Sequence, residues 1–194
     1  YYQQKLIDRK WSYIYYHFRR LTENAPYIHE VLRNVDRQDS RPVLVIGVGA
    51  GTDTIALHSF GMNVIGIDKE YLFDMVRHHG RDINPSLSPQ LLGADMLDLP
   101  FLPHSAQLVT SMGVYEHYSD EIIVRGIGES LRVAPKSVFM VPTDQYQGTN
   151  KRLLGLTAAM GDERMMATSK WETLILRAGA VIQRKFGYWD PKLR

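Results

Sequence analysis

Apolar and polar positions along the chain fall into blocks that switch between two lengths, short β-rich runs and longer stretches with helical spacing. Within residues 1–24, Ile7, Trp11, Ile14, Phe18 and Leu21 recur at steps of four and three, which predicts one buried face of an amphipathic helix. Tyr1, Tyr2, Tyr13, Tyr15 and Tyr16 decorate the rest of it. Asn24-Ala25-Pro26 breaks that helix, and Ile28, Val31, Leu32 and Val35 predict a shorter one after it. A polar connector, Asp36–Pro42, leads into Val43–Ile46, which is too short and too β-branched for a helix and reads as a buried strand.

The same reading continues to the C-terminus. A helix follows Gly51 with Ile55, Ala56 and Phe60 apolar, Gly61 stops it, and Val64–Ile67 is a second strand ending in Asp68. Residues 70–79 are predicted helical with Leu72, Met75 and Val76 inward, and His78 and His79 as surface residues at the helix end. Leu91–Asp95 and residues 106–111 are predicted strands. Ser119 is then expected to cap a helix that aligns Ile123, Ile127 and Leu131. Val138–Val141 is a further strand, Thr168–Ala178 a helix stopped by Gly179, and Ala180–Trp189 a sixth strand. Residues 143–167 have weak periodicity, with Gly148, Gly155 and Gly161, and read either as a substrate lid at the sheet edge or as an ordinary long connection. Strands alternating with helices predict an α/β fold with a mostly parallel sheet.

Composition narrows the chemistry. The 194 residues suit one domain with a real core, and no apolar run is long enough to span a membrane. No charged-then-apolar leader opens the chain, so the expected compartment is the cytoplasm. The net charge of +2 is small and the basic residues are scattered in pairs such as Arg19-Arg20 and Lys151-Arg152, which weighs against a nucleic-acid partner. With no cysteine, thiolate nucleophiles, disulfides and Cys-ligated zinc are excluded, and no set of residues has metal-ligand spacing.

The candidate chemistry centres on Val43–Asp68, VLVIGVGAGTDTIALHSFGMNVIGID. Gly47, Gly49 and Gly51 let the backbone turn sharply and approach a ligand closely, and the helix after them opens with unpaired N–H groups. Asp68, at the end of the second strand, can accept both hydroxyl hydrogens of a ribose. A dinucleotide loop has G-x-G-x-x-G, whereas this one is G-x-G-x-G with Thr52 where that pattern wants glycine. A tight turn in some other α/β protein stands as the alternative.

At this loop, and again at Asp95-Met96-Leu97-Asp98-Leu99-Pro100-Phe101, Val114-Tyr115-Glu116-His117 and Glu129-Ser130-Leu131-Arg132-Val133, the sequence resembles the class I S-adenosylmethionine-dependent methyltransferases, in particular the small-molecule type 11 group. The resemblance covers about Val43–Gly179 and implies a Rossmann-like three-layer sandwich, helices on both faces of the sheet, with residues 1–40 a helical cover that brings Tyr1, Tyr2 and Trp11 near the pocket. It implies S-adenosyl-L-methionine as cofactor, held by Gly47, Val48, Gly49, Gly51, Asp68, Lys69, Asp95, Met96, Leu97 and Met112, with Asp95 on the adenine amino group and Met96 and Leu97 flanking the ring. The implied activity is methyl transfer to O, N or C of a small molecule.

Methyl transfer from a sulfonium needs alignment more than acid–base chemistry, so the catalytic signature is faint. His117 is the first candidate base, with packing beside the cofactor as its alternative role, and Tyr115, Glu116 and Asp144 follow. One departure stands out: Val45 occupies the place of an acidic residue in the family, so either another carboxylate such as Asp53 takes over or cofactor affinity is weak. The alternatives to a small-molecule methyltransferase are an RNA or DNA methyltransferase, disfavoured by Ser111-Met112-Gly113-Val114 in place of an Asn/Asp-Pro-Pro-aromatic segment, a non-catalytic cofactor-binding subunit and, last, a nicotinamide oxidoreductase.

Overall fold

The computed structural model describes residues 17–18, 20–22, 24–87, 89–144 and 164–187, and of Tyr71 the backbone alone. The predicted cover residues Tyr1, Tyr2 and Trp11 and most of the predicted lid lie outside these residues. Five strands, β1 (Val43–Ile46), β2 (Val64–Asp68), β3 (Gln90–Gly93), β4 (Leu108–Met112) and β5 (Ser137–Met140), form one sheet. Their order is β3-β2-β1-β4-β5 and every pairing is parallel. Helices α1 (Ala25–Asn34), α2 (Thr52–Ser59), α3 (Phe73–Ile83), α4 (Asp120–Val133) and α5 (Thr168–Arg177) cover both faces, in a Rossmann-like arrangement.

Strand alternation explains the layering. On one face Leu44, Ile46, Ile67 and Val109 meet Ile123 and Ile127 of α4 and Trp171 and Leu174 of α5. On the other, Val43, Val45, Val64 and Leu108 meet Tyr27, Ile28 and Val31 of α1 and Ala56 and Leu57 of α2. A strand buried on both faces has no polar alternation, hence the uniformly apolar β1. The Tyr27 hydroxyl crosses the second layer to the Thr110 hydroxyl at 2.5 Å and ties α1 to the middle of β4.

Several expectations are corrected. Residues 180–187 form no strand: Val181 is 84% exposed, and although Phe186 packs against the layer that holds α1, the segment pairs with no strand of the sheet. The predicted helix over 70–79 begins as a 3-10 turn, Glu70–Leu72, and α3 runs on to Ile83. His79 is therefore inside the helix and buried, its Nδ1 at 3.5 Å from the Ala50 carbonyl, while His78 is exposed as expected. Phe18, placed on the packed face by its spacing, is 58% exposed, whereas Leu21 packs against the core. Ser119 stands at the N-cap of α4 without a side-chain capping bond.

Candidate functional site

In this strand order the chain reverses direction across the sheet between β1 and β4, the point at which parallel sheets open a crevice at their carboxyl edge. The loop after β1 and the segment after β4 flank that crevice. Gly47, Gly49 and Gly51 all adopt positive φ, at 76°, 48° and 86°. A side chain at Gly47 would collide with Val114, whose Cγ2 would lie 2.3 Å from the added carbon; at Gly49 the added carbon would meet nothing within 4 Å. Glycine at 47 thus lets Val114 close on the loop, and glycine at 49 leaves open space before it.

Asp68 completes this edge. Its Oδ2 accepts the Gly49 N–H at 3.2 Å and its Oδ1 accepts the Lys69 N–H at 2.7 Å. Both oxygens are thereby oriented and keep lone pairs for further donors. A cleft of about 240 Å³ lies between Gly47, Gly49 and Asp68 on one side and Gly113, Val114, His117 and Tyr118 on the other. A separate hollow of about 380 Å³ beside β3, between Glu70, Phe73, Arg77 and Leu92, shares no residue with it.

Asp95 lies two residues past the end of β3, exposed, with Oδ1 accepting the Leu97 N–H at 2.9 Å. It both caps a turn and presents a carboxylate. The turn is clamped from α4: Glu129 Oε1 accepts the Leu99 N–H at 2.7 Å, and Arg132 donates to the carbonyls of Leu99 at 3.0 Å and Phe101 at 2.8 Å. Arg132 also forks onto Glu129, whose carboxyl it holds below the usual range. The Glu-x-x-Arg spacing was visible in the sequence; its function as a loop clamp was not, because the partners are backbone carbonyls about 30 residues away.

After β4 the 3-10 turn Tyr115–His117 divides its side chains between core and surface. Tyr115 and Glu116 are buried, while His117 and Tyr118 are exposed on the cleft wall. Tyr115 does not fit the proton-transfer role: its ring packs edge-on to Phe139, its hydroxyl meets Ser130 Oγ at 3.1 Å, and burial raises its pKa to about 12. The Met96 side chain packs into the main core, Val48 into the cluster between α2 and α3, and the half-buried Met112 against the opposite layer. Leu97 is half-buried and Lys69 exposed. Asp144 is exposed beside the bridge that pairs Thr143 with Met166.

Asp53 does not replace the missing acid at Val45. It sits in the first turn of α2 with an oxygen shut from solvent, and burial raises its pKa to about 6 against the opposing pull of Arg20 and Asn24. Val45 itself is buried between Gly66 and Thr110. The residues that were missed are Gly113, Val114, Tyr118 and Arg164. The last donates to the Tyr118 carbonyl from 46 residues away, a contact with no local signal.

The residues fit an adenosine-bearing sulfonium. Gly49 borders open space, and Asp68 is an oriented acceptor beside it. Among the described residues no group of three or more His, Asp or Glu side chains converges as a metal site, and no helix is long and apolar enough to cross a membrane.

A family model described as "Methyltransferase domain" matches residues 43–136. No curated protein sequence matches the chain. Solved structures do. Magnesium protoporphyrin IX methyltransferase from Synechocystis, with bound S-adenosylhomocysteine, aligns at TM-score 0.61 and 16% identity over 84% of this chain and 74% of that one. Geranyl diphosphate C-methyltransferase from Streptomyces coelicolor, in complex with Mg2+, geranyl diphosphate and S-adenosylhomocysteine, aligns at TM-score 0.57 and 13% identity over 79% and 59%. An O-methyltransferase family 2 protein from Planctomyces limnophilus, in complex with apigenin, aligns at 0.58 and 16% over 75% and 46%. The chain thus spans less than two thirds of the length of the last two. Family match, sheet order, glycine loop and oriented Asp68 agree: over residues 43–136 the chain matches a methyltransferase domain, carried on a Rossmann-like parallel sheet.

Proposed function

We propose that the protein transfers a methyl group from S-adenosylmethionine to an O, N or C atom of a small molecule. The observation that carries this reading is the juxtaposition, across one cleft, of the Gly47–Gly49 loop tied to Asp68 and the turn bearing His117. The sulfonium supplies an activated methyl group when bound. Asp68 would hold the ribose hydroxyls, Asp95 the adenine amino group with the oxygen not engaged by Leu97, and the backbone of Gly47 and Gly49 would pack against the donor. The acceptor would lie on the His117 and Tyr118 side. There the imidazole would take the proton of an O–H or N–H acceptor, or position an acceptor that needs no base.

A small-molecule acceptor is supported by the molecules named with the neighbours: magnesium protoporphyrin IX, geranyl diphosphate and apigenin. It is also supported by scattered positive charge, where a nucleic-acid substrate would call for a concentrated basic face. The test is calorimetric titration with S-adenosylmethionine and S-adenosylhomocysteine, followed by detection of homocysteine-containing product across an acceptor panel. Stoichiometric binding lost in Asp68→Ala, and turnover with at least one acceptor, are expected. Absence of binding to both ligands overturns the reading.

A further inference from the structure

The wall of the cleft that carries His117 and Tyr118 is held from two directions. From inside, Tyr115 is fixed by Ser130 and Phe139. From outside, one residue makes three bonds: the Arg164 backbone N–H donates to the Glu116 carbonyl at 3.0 Å, Nη1 to the Tyr118 carbonyl at 2.6 Å and Nη2 to Asp120 Oδ1 at 2.7 Å. Lys170 of α5 takes the other Asp120 oxygen, Oδ2. The Lys170 and Arg164 hydrogen bonds, in that order, hold the Asp120 carboxyl below its ordinary range, so the anion persists around neutrality.

Surface ion pairs of this kind contribute little to global stability. Their use lies in geometry. A planar guanidinium that joins a carbonyl and a carboxylate at once sets both angle and distance, which a lysine cannot do. The joined groups bracket the two residues that face the glycine loop. His117 N–H closes on Val114 O at 3.3 Å and Tyr118 N–H on Tyr115 O at 3.1 Å, bonds too few to set the turn against the sheet by themselves.

We propose that Arg164 is a positioning residue: by tying the Tyr118 carbonyl to Asp120 it sets where His117 and Tyr118 stand over the glycine loop. This rests on the reading of that cleft as the methyl-transfer site, and the experiment separates the two. In the full chain, Arg164→Gln and Arg164→Lys are compared with the parent and with Glu172→Gln, a surface control. Readouts are S-adenosylhomocysteine affinity, thermal unfolding, and the pH titration of the His117 ring resonance by NMR, assigned by its loss in His117→Asn.

The expected result for Arg164→Gln is about a tenfold loss of affinity and a moved His117 titration. The resonances of His29, His58 and His104 should stay in place, and the melting temperature should fall by no more than a few degrees. Arg164→Lys should lie between the parent and Arg164→Gln, because it keeps a partner for Asp120 but loses the fork. A His117 titration and an affinity that both match the parent overturn the proposal. Should Arg164→Gln not fold, Asp120→Ala takes its place, since it removes one arm of the fork and leaves the bond to Tyr118; unfolding of that variant too would make Arg164 structural and overturn the proposal. If the parent binds no S-adenosylhomocysteine but Arg164→Gln still moves His117, the donor reading fails and the positioning role stands.

Discussion

The carboxylate of Asp68 reaches across 19 residues of sequence to accept the amide of Gly49, and so ties the end of β2 to the loop that leaves β1. The tie bears on the valine at position 45. In the resembling family an acid at that position organises the glycine loop, and here Val45 is buried in the sheet with no polar group to offer. The loop is organised from β2, by a residue whose remaining lone pairs face the cleft.

Asp68→Asn keeps the size of the side chain but replaces one acceptor oxygen with a donor, which opposes either the Gly49 or the Lys69 N–H. Loss of an oriented, charged acceptor for two hydroxyls is expected to cost about 1.5–3 kcal/mol of donor affinity, roughly ten- to a hundredfold. Calorimetry with S-adenosylhomocysteine reads it. An affinity equal to the parent's would remove Asp68 from the ribose site.

Gly47→Ala and Gly49→Ala are predicted to fail differently. Both positions have positive φ, which costs an alanine about 1–2 kcal/mol. At Gly47 the new methyl also strikes Val114, so stability should fall further, and Val114→Ala in the same chain should restore part of it. At Gly49 the methyl meets no protein atom and projects into open space, so donor affinity should drop more than the melting temperature does. Denaturant unfolding and calorimetry on the three variants check the contrast.

Much of this arrangement was legible because it is local. The β1–α2–β2 unit, the glycine loop and Asp68 lie within 26 consecutive residues, and periodicity and turn chemistry report on such segments directly. What was not legible depended on contacts distant in sequence. His79 looked like a helix-end surface residue and is buried because α3 continues under the loop at Ala50. Tyr115 sits next to a cleft residue in sequence, yet a 3-10 turn points it into the core. Residues 180–187 have a strand-like pattern, but pattern alone supplies no neighbouring strand.

The Glu129–Arg132 clamp gives a third test. Arg132→Ala removes the donors to Leu99 and Phe101 and leaves Glu129 holding only the Leu99 N–H. The loss is expected to be about 1–3 kcal/mol, given the charged donor and two carbonyls left without it. Lysine should not restore the parent's properties, since it cannot span both carbonyls and Glu129. Hydrogen exchange is the direct readout: the Leu99 and Phe101 amides should lose protection while β1 keeps its own. Unchanged exchange at Leu99 would show that the turn does not need the clamp.

The last prediction concerns pH and the buried groups behind the glycine loop. Burial raises Asp53 from 3.8 to about 6, so the folded state binds the extra proton between those values; its stabilising contribution is complete below 3.8 and is lost as pH rises through about 6. His17 has the opposite sign. Burial, and then the nearby His79, lower it from 6.5 to about 4, so its contribution is complete above 6.5 and is lost as pH falls through about 4. His79, lowered chiefly by burial, acts in the same direction as His17. The windows overlap, and in the parent the effects offset each other. Asp53→Asn should therefore unmask the histidines: stability should rise at pH 7 by an amount on the order of 1–3 kcal/mol and fall more steeply than the parent's between pH 6.5 and 4. His17→Asn should flatten or reverse that acid loss. Melting temperatures of the three chains at pH 7, 5.5 and 4.5 decide it, and parallel curves for the parent and Asp53→Asn would show that Asp53 titrates as an ordinary surface acid.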